Sequence, residues 1–500
     1  MIGRRTRPRR WILAAALVAG ACDGPRSDSG STPPDPSDSS TGATGATGDT
    51  GTGPPPPIAA SCAIQPDNVL RADCTVTVDP PGPISLSFAP ADGAAPARVV
   101  TDDAPVPTHT VHLWRMHGDT PYAFTAVATA TGATVDGAFA TPPVPIEDRP
   151  AFTVVAGGPS TATDDLMFQV ECDQYPEAVV VDPSGELVWY QRLTGDLDGS
   201  HDVLGVSFTD DRTVAAVLDR GRVRSFDLDG ALRVDAVVGE EPGLDRLVHH
   251  DVYGRDGLLY VLNADLAPGY GGPYVVDGVY VLDPSGAVIG SWSLASVVEV
   301  TGGGPIDHDL YWESAFPGAI DWSHANSIQV DEAGDWTLSL SHLRSIVRVD
   351  GLRSPTPGAL RWILGGDPTN VLPTDFAITD PDDRTDDETF AHQHHAVPLP
   401  DGRIRMLDNG LFGPSRILEL RPDEATGTAA ITGAWSIGVD CAYEGAVVEL
   451  DNGHLLATCA PDRTIHEVDP VTGAVVRVVR VGCALGDGDA VLARVFPVSL

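Results

Sequence analysis

The feature that most constrains the fold is a short hairpin-like repeat that recurs along residues 148–500. In each copy an apolar stretch ends in a turn that contains Asp, and a second stretch follows, as in VVVDPSGELVW and VYVLDPSGAVI. Six copies occur, at residues 179–189, 224–232, 279–289, 346–351, 417–423 (a degenerate copy) and 465–475. Their spacing of roughly 45 to 75 residues fits one four-stranded sheet per copy, with insertions in the wider gaps.

A second kind of turn alternates with these hairpins and precedes another apolar stretch. It occurs at Asp256-Gly257, Gly334-Asp335, Asp401-Gly402 and Asn452-Gly453, and in a looser form at Asp210-Asp211. Two alternating hairpins per repeat are typical of a blade of a β-propeller. No sustained helical periodicity appears after residue 22, which excludes helical repeats and a parallel sheet with connecting helices. The sequence therefore predicts an all-β protein in which residues 148–500 form a six-bladed β-propeller.

Residues 61–147 form a separate region with a different pattern. Apolar and polar residues alternate there in short runs that Pro, Gly and Asp interrupt, which indicates short antiparallel strands. We predict a small β-sandwich of the fibronectin type III kind. Its three histidines, His109, His112 and His117, lie on or beside a predicted strand, and we expect them to be structural.

The first 60 residues resemble the export signal and tether of a lipoprotein. Basic residues 4–10 precede an apolar stretch, residues 11–21, that is too short to span a bilayer and ends at Cys22. Residues 23–60 are mostly Ser, Thr, Gly, Pro and Asp, a composition that cannot bury a core. We expect residues 1–22 to be a lipoprotein signal peptide, Cys22 to carry the lipid and the protein to be anchored on the periplasmic face of a membrane or at the cell surface. The alternative is a plain signal peptide with a chance cysteine.

The charge balance limits the possible partners. The chain carries 70 acidic and 31 basic residues, a formal net charge of -39. Nucleic acid is excluded as a partner because phosphate contacts need a basic surface. An anionic substrate would have to be held by a local group of Arg and His acting against the general field.

Six cysteines follow Cys22, an even number that suits disulfides in an oxidising compartment. Their spacing predicts two disulfides and leaves one further pairing possible, with free buried thiols as the alternative. The predicted pairs are Cys62 with Cys74 and Cys441 with Cys459, and the possible pair is Cys172 with Cys483.

Histidines recur at one position relative to the second kind of turn. His249 and His250 lie eight and seven residues before Gly257, His324 lies ten before Gly334 and His394 lies eight before Gly402. His201 precedes Asp210 at a similar distance, whereas His454 and His466 fall elsewhere and are expected to be structural. In a propeller the strand before this turn is the innermost one. Four blades would therefore place imidazoles near one axis.

Imidazole chemistry is the remaining catalytic possibility, since the chain has neither a Gly-rich phosphate loop nor a Gly-x-Ser-x-Gly elbow. Histidine can be a nucleophile, an acid or a base near neutral pH. The tract AHQHH at residues 391–395 admits a metal site, but no carboxylate or Cys accompanies it at a ligand-like spacing. We expect no cofactor and no metal. A metal-dependent hydrolase or lyase, and a non-catalytic surface propeller that binds glycans or proteins, are the alternatives.

Several segments together resemble the bacterial arylsulfotransferases that act without a nucleotide sulfate donor. They follow the family's order over most of the predicted propeller. The segments are His249-His250-Asp251, DWSHANSI at 321–328, GALRWILGG at 358–366, Gln393-His394 with LDNG at 407–410, Ser415-Arg416 and EGAVVELDNGHL at 444–455.

The resemblance implies a fold and a reaction. That family is a six-bladed propeller with an N-terminal β-sandwich. Its activity is a ping-pong transfer in which a histidine takes the sulfuryl group from an aryl sulfate and passes it to a phenol. By motif, His394 would be the nucleophile, and His324 and His250, with the adjacent His249, would hold the sulfuryl oxygens or move the proton. The positions that would bind the substrates are Trp322, Asn326, Asn409 and Arg416.

One segment departs from the family pattern. The family carries an active-site Arg after its DWxHxN strand, and the corresponding segment here is SLSHLRSIVRVD at 339–350. The expected position falls on Ser341 or His342. Arg344 lies two or three residues further along, and a shift of two residues would keep it on the same face of a strand. We expect Arg344 or His342 to substitute, or else the activity to be altered or lost.

Overall fold

A computed structural model describes residues 57–145, 150–172, 175–197, 201–240, 243–269, 272–300, 311–366, 372–410, 414–483 and 491–500. The predicted signal peptide, Cys22 and nearly all of the tether lie outside these residues. Within the described ranges the secondary structure consists of strands and one short 3-10 helix, Leu294–Ser296, which confirms the all-β prediction. No helix among these residues is long and apolar enough to cross a membrane.

The first seven strands form two antiparallel sheets. They are β1 (Ile58–Ile64), β2 (Ala72–Val78), β3 (Ile84–Pro90), β4 (Arg98–Asp102), β5 (Thr108–Leu113), β6 (Pro121–Ala128) and β7 (Ala133–Ala140). One sheet has the order β1-β2-β5 and the other the order β4-β3-β6-β7. Alternate residues of β2 and β6 are buried, as the alternation in the sequence requires. One core cluster contains side chains from both sheets, for example Val76 and Leu86.

Residues 150–500 contain twenty-seven further strands within the described ranges. The first of them are β8 (Pro150–Gly157), β9 (Asp165–Cys172), β10 (Tyr175–Val181), β11 (Leu187–Arg192), β12 (Val203–Phe208), β13 (Thr213–Leu218), β14 (Arg222–Asp227), β15 (Leu232–Val237), β16 (Leu247–Arg255), β17 (Leu258–Gly269), β18 (Gly272–Leu282), β19 (Val288–Ser293) and β20 (Ile320–Asp321). The others are β21 (Ala325–Val330), β22 (Trp336–Leu340), β23 (Ser345–Val349), β24 (Leu360–Gly365), β25 (Ala377–Thr379), β26 (His394–Pro398), β27 (Ile404–Asp408), β28 (Arg416–Asp423), β29 (Thr428–Ser436), β30 (Val447–Glu449), β31 (Leu455–Cys459), β32 (Thr464–Asp469), β33 (Ala474–Cys483) and β34 (Val491–Val498).

These strands form six sheets of four or five strands each. Four of them contain consecutive antiparallel strands, β12 to β15, β16 to β19, β21 to β24 and β26 to β29, and β20 and β25 add short parallel pairings. The two other sheets join distant parts of the chain. The first has the order β11-β10-β9-β34, and the last has the order β30-β31-β32-β33-β8. Early and late segments of the chain are therefore hydrogen-bonded to each other in both.

Neighbouring sheets contact one another in a closed order, mostly through their first strands. Strand β12 contacts β16, β16 contacts β21, and β21 contacts β26; strand β34 contacts both β30 and β12, and β30 contacts β27. The second kind of turn found in the sequence joins the first two strands of a sheet, and the six repeat copies fall at the junction of the last two sequential strands. The histidines before the second kind of turn consequently lie on or next to first strands.

Disulfides join Cys62 to Cys74 across β1 and β2, and Cys441 to Cys459 at the end of β31. Both pairs agree with the predictions from spacing. Cys483 is also disulfide-bonded. Its pairing with Cys172 stays a prediction.

Candidate active site

The histidines predicted to be functional lie where three first strands begin. His249 and His250 belong to β16, His324 directly precedes β21, and His394 is the first residue of β26. Each strand has an irregular register there, between Val248 and Val252, Ala325 and Ser327, and His394 and Val397. His250 and His324 also have positive φ angles of 49° and 47°. Bulges and left-handed residues change the direction of a side chain, and they occur often at functional sites.

Four imidazoles contact one another in one cluster, which we call the histidine cluster. The ring centroids of His249 and His250 are 5.0 Å apart, and those of His250 and His324 are 4.7 Å apart. His342 stacks on His324 with a centroid distance of 4.2 Å and an interplanar angle of 26°. The cluster thus combines side chains from the β16 and β21 sheets, including one of the two residues expected to replace the family Arg.

Asp321 orients His324 and His342. The Nδ1 atom of His324 lies 2.5 Å from its Oδ2 atom, and the Nδ1 atom of His342 lies 3.0 Å from its backbone oxygen. Both contacts are to acceptors, so each imidazole carries its hydrogen on Nδ1 in this arrangement. The Nε2 atoms of both rings consequently face away from Asp321 and carry the lone pairs.

The same three residues are the group among the described residues whose donor atoms could surround a metal ion, since these atoms lie within 4.8 Å of one another. Metal ligation requires lone pairs on the imidazole nitrogens. The Nδ1–H groups of His324 and His342 already donate to Asp321. These hydrogen bonds leave the Nε2 lone pairs of both rings unused, so the absence of a metal stays a prediction.

Asp277 holds the other side of the cluster. Its Oδ1 atom lies 3.0 Å from Nε2 of His249, within ion-pair distance although not in hydrogen-bond alignment. Nδ1 of His249 lies 2.8 Å from Nδ1 of His250. If His249 keeps its hydrogen on the side of Asp277, His250 donates Nδ1–H to His249 and presents Nε2 as an acceptor. Burial lowers the pKa of His250 well below its ordinary value, which favours this neutral form.

His394 has the tautomer that a nucleophile needs. Its Nδ1 atom lies 2.9 Å from Oδ1 of Asn409 and 2.9 Å from the backbone oxygen of His392. Both partners are acceptors, so Nδ1 carries the hydrogen and Nε2 has a lone pair. That lone pair accepts the backbone N–H of Glu444 at 3.2 Å. Burial lowers the pKa of His394 to about 3, so the ring is neutral at pH 7.

Asn409 fixes this geometry from behind. Its Nδ2 atom donates to the backbone oxygens of Cys441, at 2.6 Å, and Glu444, at 3.0 Å. Both acceptors belong to the segment that the Cys441–Cys459 disulfide ties to β31. The amide orientation of Asn409 is therefore determined, and its oxygen necessarily faces His394.

Asn326 and Gln393 connect the strands that carry the histidines. The Nδ2 atom of Asn326 donates to the backbone oxygen of Gln393 at 2.8 Å. The Nε2 atom of Gln393 donates to the backbone oxygens of Leu340, at 3.2 Å, and Ser345, at 3.0 Å. Leu340 and Ser345 flank the turn that contains His342 and Arg344. The geometry gives Asn326 a role in positioning.

Arg344 and His342 belong to the same tight turn between β22 and β23. Arg344 is buried, has a φ angle of 48°, and donates its backbone N–H to Ser341 at 3.0 Å. Its backbone oxygen accepts the N–H of Gly366 at 2.8 Å. His342 extends into the histidine cluster. His342 therefore directly contacts another candidate residue, His324.

Two predicted substrate-binding residues have contacts that correct their assignment. Trp322 has no exposed surface and belongs to a hydrophobic core cluster, so its indole supports the strand beside His324 and cannot contact a substrate. Arg416 donates Nε–H to Asp408 at 2.8 Å, and its terminal nitrogens donate to Thr385, Asp387 and Thr389. Arg416 therefore anchors the acidic insertion around residues 380–388 with all its nitrogens engaged.

The remaining histidines singled out in the sequence pair mostly with carboxylates. His201, which was expected near the axis, lies on the loop before β12 and pairs with Asp219, which directly follows β13. His466 contacts the Thr464 hydroxyl at 2.8 Å. The other partners, at 2.7–3.0 Å, are Asp102 for His109, Asp73 for His112, Asp182 for His117 and Glu467 for His454.

Sequence reasoning missed three residues at the site. The Tyr311 ring lies 4.6 Å from the ring of His250 and 5.5 Å from that of His324. The Arg220 guanidinium lies over the Tyr311 ring, 4.2 Å from its centroid. Arg494 donates to the backbone oxygen of Asn326 at 2.6 Å. Of these three, only Tyr311 could have been noticed in the sequence, because the aromatic pair Tyr311-Trp312 follows a polar stretch.

Comparisons with known proteins give one family and several distant structures. A family model described as Arylsulfotransferase (ASST) matches residues 152–421, more than half of the chain. No curated protein matches the sequence. A protein of unknown function from Bacteroides caccae has 12% identity and a TM-score of 0.42, over 67% of this chain and 100% of its own. Virginiamycin B lyase from Staphylococcus aureus has 8% identity and a TM-score of 0.33, over 70% and 90%. Such low TM-scores carry no argument about this protein.

Proposed function

Because the chain belongs to the arylsulfotransferase family, we propose that it transfers a sulfuryl group from an aryl sulfate to a phenol through a sulfohistidine at His394. The observation that carries the proposal is the state of His394. Its Nδ1–H is held by Asn409 and His392, and burial keeps the ring neutral. The Nε2 atom carries no proton, so its lone pair can attack sulfur once it leaves its hydrogen bond with the Glu444 backbone N–H.

In the first half-reaction Nε2 of His394 forms a bond to sulfur while the bond between sulfur and the aryl oxygen breaks. The bonding pair leaves with the phenolate. We assign His324 as the acid that protonates this oxygen, because Asp321 holds its Nδ1 and leaves its Nε2 to face the substrate. The His342 ring stacks on that of His324 and holds it in this orientation.

In the second half-reaction the acceptor phenol attacks the sulfur of the sulfohistidine, and the bond from sulfur to Nε2 breaks. The phenolic proton needs a base. His250 is neutral and can take this proton. Its ring lies 4.7 Å from that of His324, to which the proton then returns, so that the enzyme regains its starting state. The aromatic ring of Tyr311 beside His250 would pack against an aryl substrate.

We also propose the finer architecture. The closed order of contacts among neighbouring sheets supports six blades of a propeller formed by residues 148–500. The two sheets with a shared core support a fibronectin-III-like sandwich in residues 61–147. The disulfides support an exported protein. Lipidation of Cys22 after a signal peptide at residues 1–22, with residues 23–60 as a tether, is part of the same proposal.

The test is an assay of the purified protein with a chromogenic aryl sulfate, with and without added phenol. We expect transfer to the phenol, and mass spectrometry should find one sulfuryl group on His394 when the acceptor is omitted. His394→Ala should abolish both signals. His201→Ala is the matched control, because His201 pairs with Asp219 outside the histidine cluster. A folded wild-type protein that turns over no pair of aryl sulfate and phenol would contradict the proposal and favour the non-catalytic alternative.

A further inference from the structure

Arg494 is a buried cation next to the histidine cluster. It lies on β34, and the whole residue is only 6% exposed. One terminal nitrogen, Nη2, donates to the backbone oxygen of Asn326 at 2.6 Å and lies 3.3 Å from Oδ2 of Asp251. Asp251 directly follows His250, and Asn326 is two residues after His324. The guanidinium therefore lies close to both strands that carry the cluster.

The second terminal nitrogen of Arg494, Nη1, is buried and has no hydrogen-bond partner among the described residues. Leaving a buried donor without an acceptor is unfavourable, and more so for a charged group. A ligand with several acceptor oxygens would remove this cost. The positive charge of Arg494 also contributes to the lowered pKa of both His250 and His394, as expected of a guanidinium close to both rings.

Asp251 does not fully account for Arg494. Its Oδ2 atom also accepts the backbone N–H of Ile328 at 2.8 Å, and it contacts only one side of the guanidinium. Burial raises the pKa of Asp251 to about 6 in spite of the neighbouring Arg. An Arg presents five N–H donors in a plane and stays charged at any relevant pH. The contacts with Asp251 and Asn326 leave part of that capacity unused.

We propose that Arg494 binds the sulfuryl group of the aryl sulfate donor, with Nη1 as the hydrogen-bond donor. This inference rests on the proposed function. Arg494 gives the site a permanent positive charge. The resemblance predicts an Arg at Ser341 or His342, in the turn between β22 and β23, whereas Arg494 lies on β34. A guanidinium is well matched to sulfuryl oxygens, because charge-assisted hydrogen bonds to an oxyanion are about twice as strong as neutral ones.

The competing explanation is structural, with Arg494 only neutralising Asp251 and bonding the backbone of Asn326. Three variants separate the two roles. Arg494→Gln removes the charge, Arg494→Lys keeps a charge without the planar donors, and Asp251→Asn removes the partner but leaves Arg494 in place. Each full-length variant is tested by thermal unfolding, by calorimetric titration with inorganic sulfate and by kinetics with the chromogenic donor.

If Arg494 binds the sulfuryl group, Arg494→Gln should weaken sulfate binding and raise the KM for the donor by about 10- to 100-fold, the range of one or two charge-assisted hydrogen bonds. Arg494→Lys should recover part of this loss. Asp251→Asn should bind sulfate as tightly as the wild type or more tightly, because the guanidinium then lacks its counter-charge. This readout stays informative if Arg494→Gln fails to fold.

Two results would overturn the inference. One is an Arg494→Gln protein that folds and keeps its sulfate affinity and donor KM within about twofold of the wild type, a change below that of a single hydrogen bond. The other is a loss of sulfate affinity in Asp251→Asn as large as in the Arg494 variants. A wild-type protein that binds sulfate through Arg494 but turns over no aryl sulfate would contradict the proposed function and leave the anion site standing.

Discussion

Asn409 offers the sharpest test of how the nucleophile is oriented. Its side-chain oxygen accepts Nδ1–H of His394 at 2.9 Å, but the backbone oxygen of His392 lies at the same distance from that atom. Asn409→Ala therefore removes one of two acceptors and does not leave the donor without any. We expect a loss of about 1–2 kcal/mol in transition-state stabilisation, which corresponds to a fall in kcat of roughly 5- to 30-fold.

The same substitution also has a structural cost. Asn409 donates to the backbone oxygens of Cys441 and Glu444, and both bonds are lost. Unfolding in guanidinium chloride should show a loss of about 1–3 kcal/mol. Steady-state kinetics with saturating phenol measures kcat, and mass spectrometry of the protein without acceptor measures the sulfohistidine. The KM for the donor should change little, since Asn409 contacts the histidine and not the sulfuryl group.

Asn409→Asp is the matched variant because it keeps the acceptor and adds a negative charge. The carboxylate should raise the pKa of His394 from about 3 toward neutrality, by favouring the imidazolium form. The variant should then lose kcat as the pH falls through this raised pKa, whereas the wild type should show no such limb from His394 above about pH 4. The orientation argument is refuted if Asn409→Ala keeps kcat within about twofold, less than one lost hydrogen bond.

Further predictions concern the pH dependence of stability, the need for a metal and the Tyr311 ring. Burial lowers the pKa of both His394 and His395 to about 3, so the unfolded chain takes up protons that the folded chain does not as the pH falls below about 6.5, and each ring costs about 1 kcal/mol of stability per pH unit. Asp251, with a raised pKa of about 6, opposes one of them between about pH 6 and 4, because its folded form gains the proton first. His395→Gln should therefore flatten the decline of the unfolding free energy between pH 6 and 4, and equal slopes would contradict this. Exhaustive dialysis against a chelator should leave kcat unchanged, and elemental analysis should find no stoichiometric transition metal; restoration of lost activity by added zinc would favour the metal alternative. Tyr311→Ala should raise the KM for aryl substrates several-fold, in line with about 1 kcal/mol for an aromatic contact, and an unchanged KM would place the substrate elsewhere.

The fold was largely predictable because two periodic signals in the sequence are local. A strand, a tight turn and a second strand occupy only about ten residues, so the repeat at 279–289 and the turn at Asp256-Gly257 identify β-hairpins without knowledge of distant contacts. Counting from the second turn likewise placed His250, His324 and His394 at the starts of first strands.

The site was less predictable, because its decisive contacts are non-local. Arg494 donates to Asn326, which is more than one hundred and sixty positions away in the sequence. No local sequence pattern predicts this contact. The tight turn at residues 341–344 sets the directions of the His342 and Arg344 side chains, and strand alternation does not apply within a turn. Trp322 and Arg416 were misassigned because a motif gives residue identity but neither burial nor existing partners.

The pairing of β34 with β9 has a consequence for the stage of folding at which the protein becomes able to bind an anion. Strand β9 is made early, and its edge has no partner until residues 491–498 are synthesised. Arg494 arrives with the same strand. A chain that is still being made or threaded across a membrane can fold its middle sheets, since their strands are consecutive, but it lacks the buried cation of the site. Anion binding should therefore appear only in the last step of folding, together with closure of the first sheet.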